Sequence, residues 1–288
     1  MGNWLNGKIV LYLENLCLTK KSRIVNVQPL QAPKHTSNTG KTAQTNQQMN
    51  WNNYLLEQKS PVADYAHLGV FKGAVRGIFD LSTIPTDTNI LEMSTPLKKF
   101  KLTYTNLSSL NANKNIEAIS LGEIDDERVS VFSTLPNLKY LQISVNKQNE
   151  IPDLAPLKNL QVLVLSSIKK AENIDFLRGL TNLKTLYIHE INNMSDLEPL
   201  SSLTNLEELF LSHGKMSGTG QSVKSMEPIS KLTNLKYLAF ILNVEKKNYD
   251  ITPLLSLKKL QKLHILPRYL DTGNREKLLN DLPLITEL

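Results

Sequence analysis

From Leu97 onward one pattern restarts again and again: an aliphatic residue, a second three positions later, and a third two positions after that. The units are LKKFKL (Leu97), IEAISL (Ile116), LKYLQI (Leu138), LQVLVL (Leu160), LKTLYI (Leu183), LEELFL (Leu206), LKYLAF (Leu235) and LQKLHI (Leu260), spaced by 19, 22, 22, 23, 23, 29 and 25 residues. Within a unit the last two apolar residues have period two, the signature of a short strand with one buried face. In the unit at Leu183, Leu186 and Ile188 point one way while Thr185, Tyr187 and His189 point the other. The tracts between units repeat as well: Ile151–Leu154, Ile174–Leu177, Met194–Leu197, Met226–Ile229 and Ile251–Leu254 each carry two apolar residues three apart. That spacing suits one tight or 3₁₀ turn packing inward, and none of these returns reads as long enough for a full helix. No single unit can cover its own leucines, so neighbours must stack into one continuous core.

The flanks read differently. Residues 28–53 are rich in Gln, Asn and Thr, with almost no aliphatic side chains to offset ordering entropy, and are expected to be disordered. A short amphipathic patch at Tyr54–Leu56 follows, then an apolar stretch, Val70–Leu81, read as one or two strands covering the open end of the stack. At the other end, Asn274 or Thr272 is placed to cap a short helix with Leu278, Leu279 and Leu282 inward and Pro283 as its stop. The expected organisation is a polar leader over 1–60, a capping region over 61–96, the repeat array over 97–268 and a terminal cap over 269–288. Of the net charge of +6, residues 1–60 carry +5 (seven Lys/Arg against Glu14 and Glu57), so the repeats are nearly neutral. A basic nucleic-acid footprint across them is therefore not expected. The apolar run Ile9–Leu13 ends at Glu14 with only Lys8 ahead of it, which does not match a signal peptide, and no later run has the length of a spanning helix. With a single cysteine, Cys17, no intramolecular disulfide can form, so the sequence reads as a cytoplasmic chain, the alternative being a secreted effector.

The alternation of LTNLxxLxL with IxDLxPL, seen over Met194–Leu206, resembles the short-repeat class of the leucine-rich-repeat superfamily and is similar to bacterial internalin-type and Sds22-like repeats. The match spans about residues 91–268. It implies an α/β fold: a solenoid with a parallel, concave β-sheet and short turns or 3₁₀ helices on the convex side. It also implies a binder of other proteins. The chain departs from the family at the asparagine that usually follows each strand. Asn146 and Asn243 hold that place, but Ile168, Ile191, Gly214 and Arg268 replace it elsewhere, which predicts a less regular solenoid. An insert over Ser212–Ser225, rich in Gly and Ser, marks a loop.

Catalytic constellations fare poorly. Gly214–Gly220 lacks the GK[ST] ending of a phosphate loop, the histidines His35, His67, His189, His213 and His264 have no metal-ligand spacing, and no serine or Cys17 has a partner base. The carboxylate pairs Asp125–Asp126 and Glu207–Glu208 are expected to be solvated charges, since neighbours on a strand face opposite ways. Neither enzymatic activity nor a cofactor is expected.

What remains is the face of the sheet turned from the core. Its outward positions are expected to be Lys99, Lys101 and Thr103 on the first strand and Lys262 and His264 on the last. Between them lie the candidate contact residues Tyr140, Val162, Val164, Tyr187, His189, Phe210, Tyr237 and Ile241. Eight strands at about 4.8 Å span roughly 34 Å, a reach suited to a protein surface or an extended peptide. Contiguous outward apolar and aromatic side chains mark interfaces, so the expected function is a non-enzymatic, monomeric protein-interaction module binding a protein partner on its concave face. The alternatives are a regulatory subunit of a phosphatase-like enzyme and a secreted bacterial effector; neither nucleic acid nor membrane is expected as a partner.

Overall fold

A computed structural model describes residues 54, 71–96, 98–144, 147–190, 194–214, 221–245, 249–271 and 273–288. All described residues belong to one compact unit within Gln48–Leu288. The expectations for the Gln28–Asn53 leader and for the tip of the Ser212–Ser225 insert lie outside them.

The described residues form one nine-stranded parallel sheet whose strands follow chain order. These are β1 (Val75–Arg76), β2 (Ile90–Met93), β3 (Ala118–Leu121), β4 (Tyr140–Ser144), β5 (Val162–Ser166), β6 (Thr185–His189), β7 (Glu208–Ser212), β8 (Tyr237–Ile241) and β9 (Lys262–Ile265). The pairing register puts equivalent residues side by side, so Leu141, Leu163, Leu186, Leu209 and Leu238 form one inward row and Ile143, Leu165, Ile188, Leu211 and Phe240 the next. All ten are fully buried. Each strand start is stitched to its predecessor in the same way. The Lys139 carbonyl accepts from the backbone N–H groups of Gln161 and Val162, and the Gln161 carbonyl from those of Lys184 and Thr185; the series continues at Lys184 and Glu207.

The returns are short 3₁₀ turns: Asp175–Leu177, Glu198–Ser202, Glu227–Lys231 and Thr252–Ser256. A polar side chain opens each one, accepting from the backbone N–H two residues on: Asn173 from Asp175, Asp196 from Glu198, Ser225 from Glu227 and Asp250 from Thr252, at 2.9–3.0 Å. Asp153 does the same for Ala155. These side-chain turns fix the alignment of the returns. They place Leu154 and Leu157 opposite Ile174 and Leu177, and Leu197 and Leu200 opposite Met226 and Ile229. Of the pairs read from sequence, Met194 and Leu197 are both buried, while in Ile151–Leu154 Leu154 is buried and Ile151 only partly so.

Three expectations are corrected here. The return after β3 is a true α-helix, α1 (Asp126–Ser133), although the sequence offered no return long enough for one. Asp125 is its N-cap, accepting from the Arg128 backbone N–H at 2.8 Å, and Val129 and Phe132 supply its buried side. Asp125 is therefore a structural cap instead of a free solvated charge. Second, LKKFKL is not a strand. Lys98–Phe100 form a 3₁₀ turn, Leu97 lies outside the described residues, and Phe100 and Leu102 stand about half exposed. The strand preceding β3 is β2, carried by Asn89-Ile-Leu-Glu-Met93, so Lys99, Lys101 and Thr103 are not on the sheet. Third, Leu279 of the terminal helix α2 (Asn274–Asp281) faces solvent, while Leu278 and Leu282 are buried. Gly273, with φ +82°, takes the N-cap place of α2, and the Asn274 amide instead donates to the carbonyls of Tyr249 and Tyr269. Beyond α2, Glu287 pairs in parallel with Lys262 and extends the sheet edge.

The asparagine missing after the strands is replaced by one before them. In the LTNL-type segments the amide nitrogens of Asn115, Asn137, Asn159, Asn182, Asn205 and Asn234 each donate one repeat back. Their acceptors are the carbonyls of Thr86, Lys114, Pro136, Lys158, Thr181 and Thr204, at 2.7–3.2 Å. In every case but the first the acceptor immediately precedes the equivalent asparagine of the neighbouring repeat. The ladder ends at Lys259, which stands where the next asparagine would and donates to the Asn234 Oδ1 at 2.7 Å. This ladder runs unbroken through the region where the substitutions after the strands predicted irregularity.

Candidate interaction surface

Strand alternation sends three rows of side chains away from the leucine core. The first holds Ala118, Tyr140, Val162, Thr185, Glu208, Tyr237 and Lys262; the second Ser120, Gln142, Val164, Tyr187, Phe210, Ala239 and His264; the third Ser144, Ser166, His189, Ser212 and Ile241. Tyr140, Val162, Val164, Tyr187, His189, Phe210, Tyr237 and Ile241 therefore all lie on β4 to β8 and on one face. Tyr187 and Phe210 stack at 5.4 Å with their planes 14° apart, and His189 lies 6.3 Å from Phe210.

The face is not the open one that alternation implies. Val162 and Val164 are 0% exposed, Tyr140 0%, Phe210 1%, Ile241 2% and Tyr187 3%; only His189 and Tyr237 keep partial exposure. A side chain on an uncovered sheet face keeps solvent contact, because its strand neighbours flank it without roofing it. At Tyr140 the roof is visible. The Tyr54 ring lies over it at 5.4 Å, tilted by 41°, and Phe71 meets it edge-on at 5.3 Å. Both are nearly fully buried. The Tyr54 carbonyl accepts from the Lys72 backbone N–H at 2.9 Å, and its hydroxyl points to Glu117 Oε2 at 3.5 Å. Burial, reinforced by the Glu117 charge, pushes the Tyr54 phenol up to about 12. Burial likewise holds the Tyr140 phenol well above its ordinary range and lowers the pKa of His189.

Charge sits at defined points of this surface. Glu208, expected to be solvated, is 1% exposed and accepts from the Thr185 hydroxyl at 3.3 Å. Glu207 beside it is held by Lys236 at 2.6 Å and Lys184 at 3.8 Å. At the strand ends Ser167 and Glu190, both at positive φ, turn the chain away. The Ser167 hydroxyl donates to Glu190, whose carboxyl is held below its ordinary value chiefly by that bond. Lys169 lies 3.5 Å from the same carboxylate. Tyr54, Phe71 and Glu117 were missed from sequence. Tyr54 precedes Tyr140 by 86 residues, and no local pattern links them. Among the described residues no helix is long and apolar enough to cross a membrane.

No protein-family model matches the chain, and no curated protein matches it in sequence. Solved structures do. A leucine-rich-repeat protein of Leptospira interrogans is 18% identical with a TM-score of 0.53, covering 75% of this chain and 58% of its own. The internalin inlF of Listeria monocytogenes is 22% identical with a TM-score of 0.46, over 70% of this chain and 54% of that one. Internalin C2 of the same organism is 27% identical with a TM-score of 0.44, over 65% and 75%. The chain thus spans little more than half the length of inlF and of the Leptospira protein, and the likeness to the latter is one of fold.

Proposed function

We propose that this chain, a leucine-rich-repeat solenoid, is a non-enzymatic interaction module that binds a protein partner through the outward face of β4 to β8. One observation carries the reading: His189 and Tyr237 stand partly exposed at the border of a contiguous apolar and aromatic field, Tyr140, Val162, Val164, Tyr187, Phe210 and Ile241, that is itself buried. An accessible aromatic side chain such as Tyr237 supplies large contact area at small entropic cost, and such residues commonly dominate binding energy. The carboxylates nearby are engaged structurally, Glu207 by two lysines and Glu208 by Thr185, which favours recognition over acid–base chemistry.

Partner capture with the full chain tests this. Replacing the partly exposed His189 and Tyr237 together by Ala should weaken binding by at least about tenfold while the circular dichroism spectrum and melting temperature stay put. Raising the salt concentration should change the affinity little, in contrast to the steep loss a phosphate backbone contact would show. Undiminished capture by the folded double variant moves the interface off this face.

A further inference from the structure

We propose that the loop between β2 and β3 docks the protein on an anionic lipid surface, Phe100 and Leu102 entering the headgroup layer while Lys98, Lys99 and Lys101 meet its charge. Lys98–Phe100 form a turn and no residue from 98 to 103 joins the sheet, so the stacking of repeats does not use them. Residues 98–103 are all exposed, a projection from the molecule. Four large apolar side chains stand exposed among the described residues, and two of them, Phe100 at 47% and Leu102 at 45%, share this tip. The Lys99 ammonium lies 4.9 Å from the centre of the Phe100 ring, so cation and apolar surface are presented together.

The projection is fixed at its neck and uncompensated at its tip. The Tyr104 hydroxyl donates to the Ser94 carbonyl at 3.1 Å, the Tyr104 ring lies on Phe79 at 5.0 Å, and the Asn106 amide donates to Asp80 at 2.8 Å. Lys101 turns the tip at φ +51°, a conformation uncommon outside glycine and asparagine, and its N–H donates to the Lys98 carbonyl at 3.2 Å. No carboxylate occurs in the chain between Glu92 and Glu117. Glu92 itself pairs with Arg76 at 3.5 Å, and none of the ion pairs among the described residues involves Lys98, Lys99 or Lys101. A projection of this kind gives a protein partner no concave seat. A fluid headgroup layer needs none: apolar side chains enter it, and lysines hold to its negative potential without a spanning helix.

Co-sedimentation of the full chain with vesicles tests this. The wild-type chain should bind vesicles of equal parts phosphatidylcholine and phosphatidylserine at least about tenfold more tightly than vesicles of phosphatidylcholine alone. Residues 1–60 carry a net charge of +5 and can add attraction of their own, so the deciding variants change only the tip. Phe100→Ser with Leu102→Ser, which keeps every lysine, should weaken binding to the anionic vesicles at least about tenfold. Lys98→Gln, Lys99→Gln and Lys101→Gln together, which keep the apolar pair, should weaken it by at least about tenfold as well. All five side chains are exposed, so circular dichroism and melting temperature should stay at wild-type values in both variants. A wild-type chain left in the supernatant, equal binding to the two kinds of vesicle, or undiminished binding by either variant overturns the proposal. So does retention on immobilised poly-glutamate in place of vesicles, lost in the same variants, which assigns the tip to an acidic protein segment. Partner capture through His189 and Tyr237 is read on other side chains with another probe, so the two readings stand or fall separately.

Discussion

Phe210 faces away from the leucine core, yet it is as buried as the leucines themselves, stacked on Tyr187. Its truncation therefore costs contact energy on a face that, by alternation alone, should tolerate it. Phe210→Ala should lower stability by about 3–5 kcal/mol and Leu186→Ala by about 2–5 kcal/mol, both read from denaturant midpoints. A Phe210→Ala protein as stable as wild type would show that the outward packing contributes nothing. The positions of all eight candidate contact residues were legible in the sequence, because side-chain direction on a strand depends only on neighbours one and two residues away. Their burial was not. It is set by groups such as Tyr54 and Phe71, whose approach to Tyr140 is a tertiary event with no periodicity to announce it. Glu208 was misread for the same reason, since a carboxylate in the middle of a strand looks solvated until the surface above it is known.

Elements were legible where two signals coincided. From β5 to β9 the LxxLxL pattern follows a turn opened by Asp, Asn or Ser, and pattern and turn agree. At LKKFKL the letters match, but Phe100 and Leu102 stand about half exposed, and the true strand at Ile90 has Thr88 where the first leucine would stand. Helix α1 shows how a cap decides between turn types. Asp125→Ala should cost about 0.5–2 kcal/mol, seen as a lower melting temperature, and no change would place the stability of α1 wholly in the packing of Val129 and Phe132. The turns after β5 and β6 make a pH prediction. The Glu190 pKa is lowered in the fold, so its ionised form stabilises the protein above the carboxylate's unfolded value, and that contribution is lost as pH falls through the lowered one. Ser167→Ala removes the main cause. Its melting temperature should fall below wild type near neutral pH, and the gap should close in acid; a gap that persists at low pH would assign the effect to something other than Glu190.

At the scale of the whole solenoid, each repeat touches only its neighbours, so stability is carried along one dimension and the ends matter most. Leu278 and Leu282 of α2 close the last repeat. Leu278→Ala should therefore speed amide exchange in β9 and β8 before it does so in β5, and uniform acceleration would mean the repeats open as one cooperative block. The asparagine ladder has a different kind of consequence. Its donors and acceptors are separated by 23, 24, 29 or 30 residues, yet the bond length stays near 2.7–3.2 Å. Contour length and pitch are thus decoupled: chain can be added to a return, as in the unit containing Gly214, without altering the rise from one strand to the next. A gene for such a protein can gain or lose residues between rungs, or duplicate a segment from one asparagine to the next, and still encode a sheet in register, so its evolvable variable is length.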